Sequence, residues 1–274
     1  MSVQAVAFAL AAALVCASPT GSVLAADPAG LYTSDAIVTG TGEINREIGF
    51  RECLGEMLLK LSGDPTIVDA QGFQAIQAKA GSFVSSFSYR DRLEGIPIHD
   101  EQGTHDRPHD LTCHFEPSTA NRLLADLGRK PWLAPRPAIA VLLAVHDQKH
   151  RFVLSGNGNE SPYMADSLRA AAIPLALSPL LPDAATVAAR KLDFEALSRA
   201  QPNELAEPTT DVKGAVALTG TLVWSDEASG WITHWRLDAD GKRYLWQVSG
   251  VSFDEAFRNA MRGTARILSG NGTP

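Results

Sequence analysis

The chain has 274 residues, and its 24 basic and 31 acidic side chains leave a formal net charge of -7 at neutral pH. That acidic balance disfavours broad nucleic-acid binding, because a phosphate backbone demands concentrated positive charge. A hydrophobic content of 45% excludes a chain too polar to bury a core.

Residues 1–26 read as a secretory signal peptide. From Val3 to Ala26 there is no charged side chain, and Phe8, Leu10, Leu14 and Val15 sit in an alanine-rich run that ends in the small-residue exit Val23-Leu24-Ala25-Ala26. Cleavage there starts the mature chain at Ala26 or Asp27, although the usual basic leader is missing beyond the amino terminus. A bilayer span is the competing reading of such a run, but Pro19, Thr20, Gly21 and Ser22 interrupt it, so no stable membrane span is expected after cleavage. Lipoprotein processing is disfavoured because the branched Val15 precedes Cys16.

The remaining chain suits two small domains, 27–133 and 134–274. In the first, 31–39 reads as a strand closed by Gly40-Thr41-Gly42, and 45–60 as a helix that Asn45 caps and Ser62-Gly63-Asp64-Pro65 ends. The helix buries Phe50, Cys53, Leu54, Met57 and Leu61 on one face. A short helix is expected over 73–79 and a strand over 83–89. A polar hairpin excursion follows over 91–110, then a strand through Leu111, Cys113 and Phe115 and a helix through Leu123 and Leu124. In an exported protein, Cys53 and Cys113 could be bridged or stay as two buried thiols; spacing alone leaves both open.

After the extended junction 131–137, the unbroken apolar run 138–145 predicts a central strand buried on both faces. A helix over 163–172, a short strand over 173–177 and one or two helices over 183–200 come next. Three antiparallel strands are expected over 214–224, 231–237 and 244–249, and a helix over 253–268 closes the chain. The fold class is α+β or mixed α/β, with each domain a mixed or antiparallel sheet covered by helices.

Several local features occur in an order that resembles a bacterial exported-protein family catalogued as domain of unknown function number 2066. They are Tyr32 with Ala36-Ile37-Val38, Leu58-Leu59-Lys60-Leu61-Ser62-Gly63, Phe87-Ser88-Tyr89, Phe115-Glu116, Trp132 with Arg136-Pro137, and Ala217-Leu218-Thr219-Gly220 before Trp231 and Trp235. The resemblance implies an exported protein and carries no catalytic residues.

The richest polar cluster is His99-Asp100-Glu101, His105-Asp106, His109-Asp110 and His114. Imidazole and carboxylate ligands suit zinc, but this spacing matches no ligand motif, and a solvated hairpin explains it as well. Gly-x-Ser-x-Gly and His-Glu-x-x-His arrangements are absent, and the loop 155–161 lacks the Lys-Ser/Thr pair of a nucleotide-binding loop. Trp132, Trp224, Trp231, Trp235 and Trp246 read either as core or as a recognition surface. The expected function is a noncatalytic periplasmic, envelope-associated accessory protein with no cofactor. It would bind an envelope protein, a peptide or a cell-wall component, with Trp132 and Arg136 as candidate contacts at the domain junction. The alternative is a metal-dependent periplasmic hydrolase, or a metal-binding protein, using His99, His105, His109 and His114.

Overall fold

The computed structural model describes residues 28–96, 106–199 and 215–274. The expected signal peptide and His99 and His105 of the histidine cluster lie outside them.

The first lobe begins with a short 3-10 turn, Pro28–Tyr32, that leads into β1, Thr33–Thr39. Helix α1, Glu43–Ser62, follows, then α2, Phe73–Gln77, β2, Val84–Asp91, β3, Pro108–Phe115, and α3, Pro117–Asp126. The three strands form an antiparallel sheet in the order β1-β3-β2. Strand β1 buries Ser34, Ala36 and Val38 and exposes Asp35, Ile37 and Thr39, the period-two pattern of a sheet with one covered face. Helix α1 covers that face with Phe50, Cys53, Leu54, Met57, Leu58 and Leu61. Cys53 on α1 is disulfide-bonded to Cys113 on β3, with their Cα atoms 6.2 Å apart.

Asn45 does not cap α1. The helix starts earlier, with Gly42 at the N-cap position, and the Asn45 side-chain amide donates to the Thr39 carbonyl instead. An amide can serve the strand end as readily as the helix end, and here the tight turn after β1 brings the strand carbonyl closer. At the other end Gly63 takes a left-handed conformation, φ 67°, and its amide donates to the Leu59 carbonyl at 2.8 Å.

The second lobe is a six-stranded mixed sheet. Strands β4, Ala138–Asp147, β7, Val216–Ser225, β8, Gly230–Ala239, and β9, Lys242–Val251, lie side by side, and β5, His150–Val153, and β6, Ser178–Leu180, pair with the far side of β4. Strands β4 and β7 are parallel; β7, β8 and β9 are antiparallel. Helices α4, Pro162–Ala172, and α7, Phe253–Leu268, cover one face, on which Ile139, Val141 and Leu143 meet Leu168, Phe257 and Met261. On the other face Leu142 and Ala144 pack with Leu192 and Leu197, near the short helices α5, Ala184–Ala189, and α6, Phe194–Arg199. Burial on both faces is why β4 has no polar alternation. Trp235 lies across from Gly220, where any Cβ would overlap its indole ring, so the close approach of β7 and β8 requires glycine.

The segment expected as a strand over 173–177 is a 3-10 turn, Ile173–Leu175, with the short strand following it at Ser178–Leu180. Pro174 has no amide hydrogen for a ladder, which favours the turn.

Candidate functional site

The lobes meet at the carboxyl end of α1, where a helix leaves carbonyls without intrahelical donors. Four of them are satisfied from the junction and the chain's last residues. The Arg136 guanidinium donates to the Lys60 carbonyl at 2.6 Å, and the Trp132 amide to Leu61 at 2.7 Å. The Asn271 side chain donates to Ser62 at 2.9 Å, and the Ser269 hydroxyl to Gly63 at 3.2 Å. The joint is therefore built from hydrogen bonds to one helix end, which fixes the lobes relative to each other.

Beside this joint a groove of about 480 Å³ runs between the lobes. Helix α1 supplies one wall and α4 and α7 supply the other. Its floor is apolar and shallow-sided, with Leu59, Phe73, Ala171 and Leu175 around Gly55. Gly55 sits in the interior of α1, where glycine costs helix stability, and the absent side chain leaves the groove open.

Charged side chains of both signs line the two walls. Glu52 and Glu56 lie one turn apart on α1, and Arg258 and Arg262 lie one turn apart on α7. Neighbours of like sign on a helix repel, and among the described residues no ion pair crosses the groove between these two pairs. Both arginines instead reach Glu255 on their own helix, at 2.8 and 3.9 Å. Burial raises the Glu56 carboxyl above its ordinary value, Glu52 adds to the rise, and Lys60 opposes it. Arg51 adds a third guanidinium at the α1 rim. The Ser167 hydroxyl on α4 donates to Asp254 on α7, which ties those helices together at the wall.

Trp132 and Arg136 lie in the joint. Arg136 is 4% exposed, its guanidinium is 4.3 Å from the Trp132 ring centroid, and Trp132 itself packs into the core of the second lobe. Burial pulls the Arg136 pKa down to about 10. Neither side chain lines the groove between α1, α4 and α7; Trp132 borders a second cavity of about 410 Å³ with Pro135, Pro137 and Asp238.

The described histidines of the cluster do not converge. His109 shares a face of β3 with Leu111, Cys113 and Phe115, and its ring lies 6.0 Å from that of Tyr89. His114 is on the opposite face, with Nδ1 3.1 Å from the Thr33 hydroxyl. An odd separation along a strand sends side chains to opposite sides. Among the described residues no group of three His, Cys, Asp or Glu side chains could hold a metal ion; His99 and His105 lie outside those residues.

Residues 25–133 match the family model of a domain of unknown function, DUF8605. That is a different family from number 2066, so the resemblance drawn from the sequence is corrected. It rested on short stretches such as Leu58-Leu59-Lys60-Leu61-Ser62-Gly63, and any helix that buries leucines and stops at a left-handed glycine uses such residues. The match covers less than half of the chain and none of the second lobe. No curated protein and no solved structure matches the chain. Among the described residues no helix is long and apolar enough to cross a membrane.

The groove residues were not singled out from the sequence. Two signals pointed there: a glycine inside an otherwise strong helix, and the like-charged pairs Glu52/Glu56 and Arg258/Arg262 at i,i+4, both of which sacrifice helix stability.

Proposed function

We propose that this is a noncatalytic, envelope-associated binding protein of the periplasm, and that the groove between the lobes holds a peptide segment of an envelope partner. The observation that carries the reading is that Glu52 and Glu56 on one wall and Arg258 and Arg262 on the other form no ion pair across the apolar floor between them. A segment that brings an apolar side chain between two charges of its own meets a carboxylate pair on one side and a guanidinium pair on the other. Binding is favoured over turnover because the groove's hydroxyl, Ser167, donates to Asp254 and its lining contains no imidazole or thiol to activate it. Recognition is placed here rather than at Trp132 and Arg136, whose surfaces are spent on each other and on α1.

The test is site-specific photo-crosslinking in a bacterial envelope, with the crosslinker at Val68 on the groove rim and, as a control, at Tyr163 away from the groove lining. A defined partner peptide captured at Val68, absent at Tyr163 and lost when Gly55→Trp fills the floor, is the expected result. Equal capture at both positions, or substrate turnover by the purified protein, would reverse the reading. Export is tested separately by amino-terminal sequencing: the mature chain should begin at Ala26 or Asp27, and a retained leader on cytoplasmic material would sink that assignment.

A further inference from the structure

A further concavity lies at one tip of the second lobe, and its chemistry differs from that of the groove. Because β4 and β7 run parallel, with His146 opposite Val223, the turns that follow them emerge at the same end of the sheet. Ligand sites in such sheets lie beyond the carboxyl ends of parallel strands. Here the two turns enclose a shallow pocket of about 280 Å³ lined by Asp147, Gln148, Lys149, His150, Trp224 and Trp231.

The aromatic wall is held in place before any ligand arrives. Trp224 and Trp231 are direct cross-strand neighbours, with ring centroids 5.6 Å apart at 82°. The Trp224 indole N–H donates to Asp226 Oδ1 at 2.8 Å, and the Gln148 amide donates to the same oxygen at 2.6 Å. One carboxylate oxygen thus orients both the ring and the amide, and it leaves Gln148 Oε1 as an acceptor. On the other turn, Asp147 Oδ1 accepts from the His150 amide at 2.8 Å, and His150 Nδ1 lies 3.2 Å from it. The Lys149 ammonium completes the polar rim. The mixed signs argue against a simple anion or cation, and the polar groups around the half-buried Trp224 indole, which the edge-on and buried Trp231 backs, argue against an aliphatic ligand.

We propose that this pocket is a saccharide subsite that seats a gluco-configured pyranose unit. Such a ring carries its hydroxyls equatorially, so its faces are flat C–H surfaces that stack on an indole while the hydroxyls radiate outward. Gln148 Oε1 and Asp147 accept from those hydroxyls, and Lys149 donates to them. The subsite is independent of the groove.

The experiment uses the whole mature protein labelled at its indole nitrogens, titrated with cellotetraose and with the N-acetylglucosamine tetramer. The Trp224 indole resonance, assigned from Trp224→Phe, should shift saturably at millimolar concentration with at least one oligomer. The double variant Gln148→Ala, Lys149→Ala changes only turn residues and should weaken that binding about tenfold, the loss of two hydrogen bonds of modest net strength. Gly55→Trp should leave the titration unchanged, which separates this outcome from the fate of the groove. An unmoved Trp224 resonance with both oligomers, or a titration the double variant does not weaken, would overturn the proposal.

Discussion

The Arg136 guanidinium reaches the Lys60 carbonyl at 2.6 Å while lying 4.3 Å from the Trp132 ring centroid, so one side chain caps α1 and packs the junction. A cation at a helix carboxyl terminus is favoured by the helix dipole. Yet its Nε and Nη1 are buried without a hydrogen-bond partner among the described residues, and that burial is what lowers its pKa to about 10. Capping and packing favour arginine; desolvation opposes it. Arg136→Ala, which loses both benefits, should destabilise by about 1–3 kcal/mol. Arg136→Met should recover at least half of that, because it restores packing without a buried charge. Urea unfolding of the three proteins checks the order, and a methionine variant no better than alanine would show that the charge itself is needed.

The Cys53–Cys113 bridge spans 60 residues and joins α1 to the middle strand of the first sheet. Loop-closure entropy for a loop of that size contributes about 4 kcal/mol. The double substitution to alanine should lower stability by up to this amount. Because both residues are fully buried, the native protein should resist reductant until it unfolds. Thiol labelling against denaturant reads this, and ready labelling of reduced native protein would contradict it.

Asp64 is 2% exposed and accepts from the Thr66 amide at 3.0 Å, the Thr66 hydroxyl at 2.8 Å and Arg129 at 2.5 Å. Burial alone would raise its pKa, but the hydrogen bonds from Thr66 and Arg129 outweigh it and hold the carboxyl below 3.8. A folded pKa below the unfolded one contributes stability that is fully present above pH 3.8 and is lost as the pH falls through the folded value. Asp64→Asn should therefore cost about 1–3 kcal/mol at neutral pH and flatten the acid limb of the stability curve. Unfolding free energies measured across the acid range would show an unchanged slope if Asp64 did not carry the effect.

Much of this architecture was legible because it follows from periodicity. The unbroken apolar run of β4 announced a strand buried on both faces, and the Phe50-Cys53-Leu54-Met57-Leu61 stripe announced the buried side of α1. The expected strand over 173–177 failed because apolar content outweighed Pro174, although the missing amide favours a turn. Asn45 failed because local sequence shows an available cap and not the competing Thr39 carbonyl. The groove was harder still. Its walls come from α1 and from helices more than a hundred residues later, and their juxtaposition depends on the carbonyls at the end of α1, which no side-chain pattern displays. Trp132 and Arg136 drew attention as an aromatic and a cation at a junction, but that pairing serves a buried joint as readily as a recognition surface.

The sharpest test of the groove lies in Gly55. A Cβ at this position would meet Phe73 Cζ at 3.7 Å and Gln77 Nε2 at 4.0 Å, ordinary contacts that require nothing to move. Replacing glycine by alanine inside a helix restricts the unfolded chain and favours the helix by about 0.5–1 kcal/mol. Gly55→Ala should accordingly raise stability by about that amount, because its single methyl is tolerated. A larger side chain must project over the floor between Leu59, Phe73 and Leu175, where it competes with whatever occupies the groove. Gly55→Trp should therefore fold, as judged by far-ultraviolet circular dichroism and a cooperative unfolding transition, while losing the Val68 crosslink that Gly55→Ala retains. If both variants keep the crosslink, the opening at Gly55 has no role in binding and recognition lies elsewhere on the molecule. If both lose it while staying folded, the site is too tightly fitted to α1 for a peptide groove, since even a methyl group in ordinary contact excludes the partner.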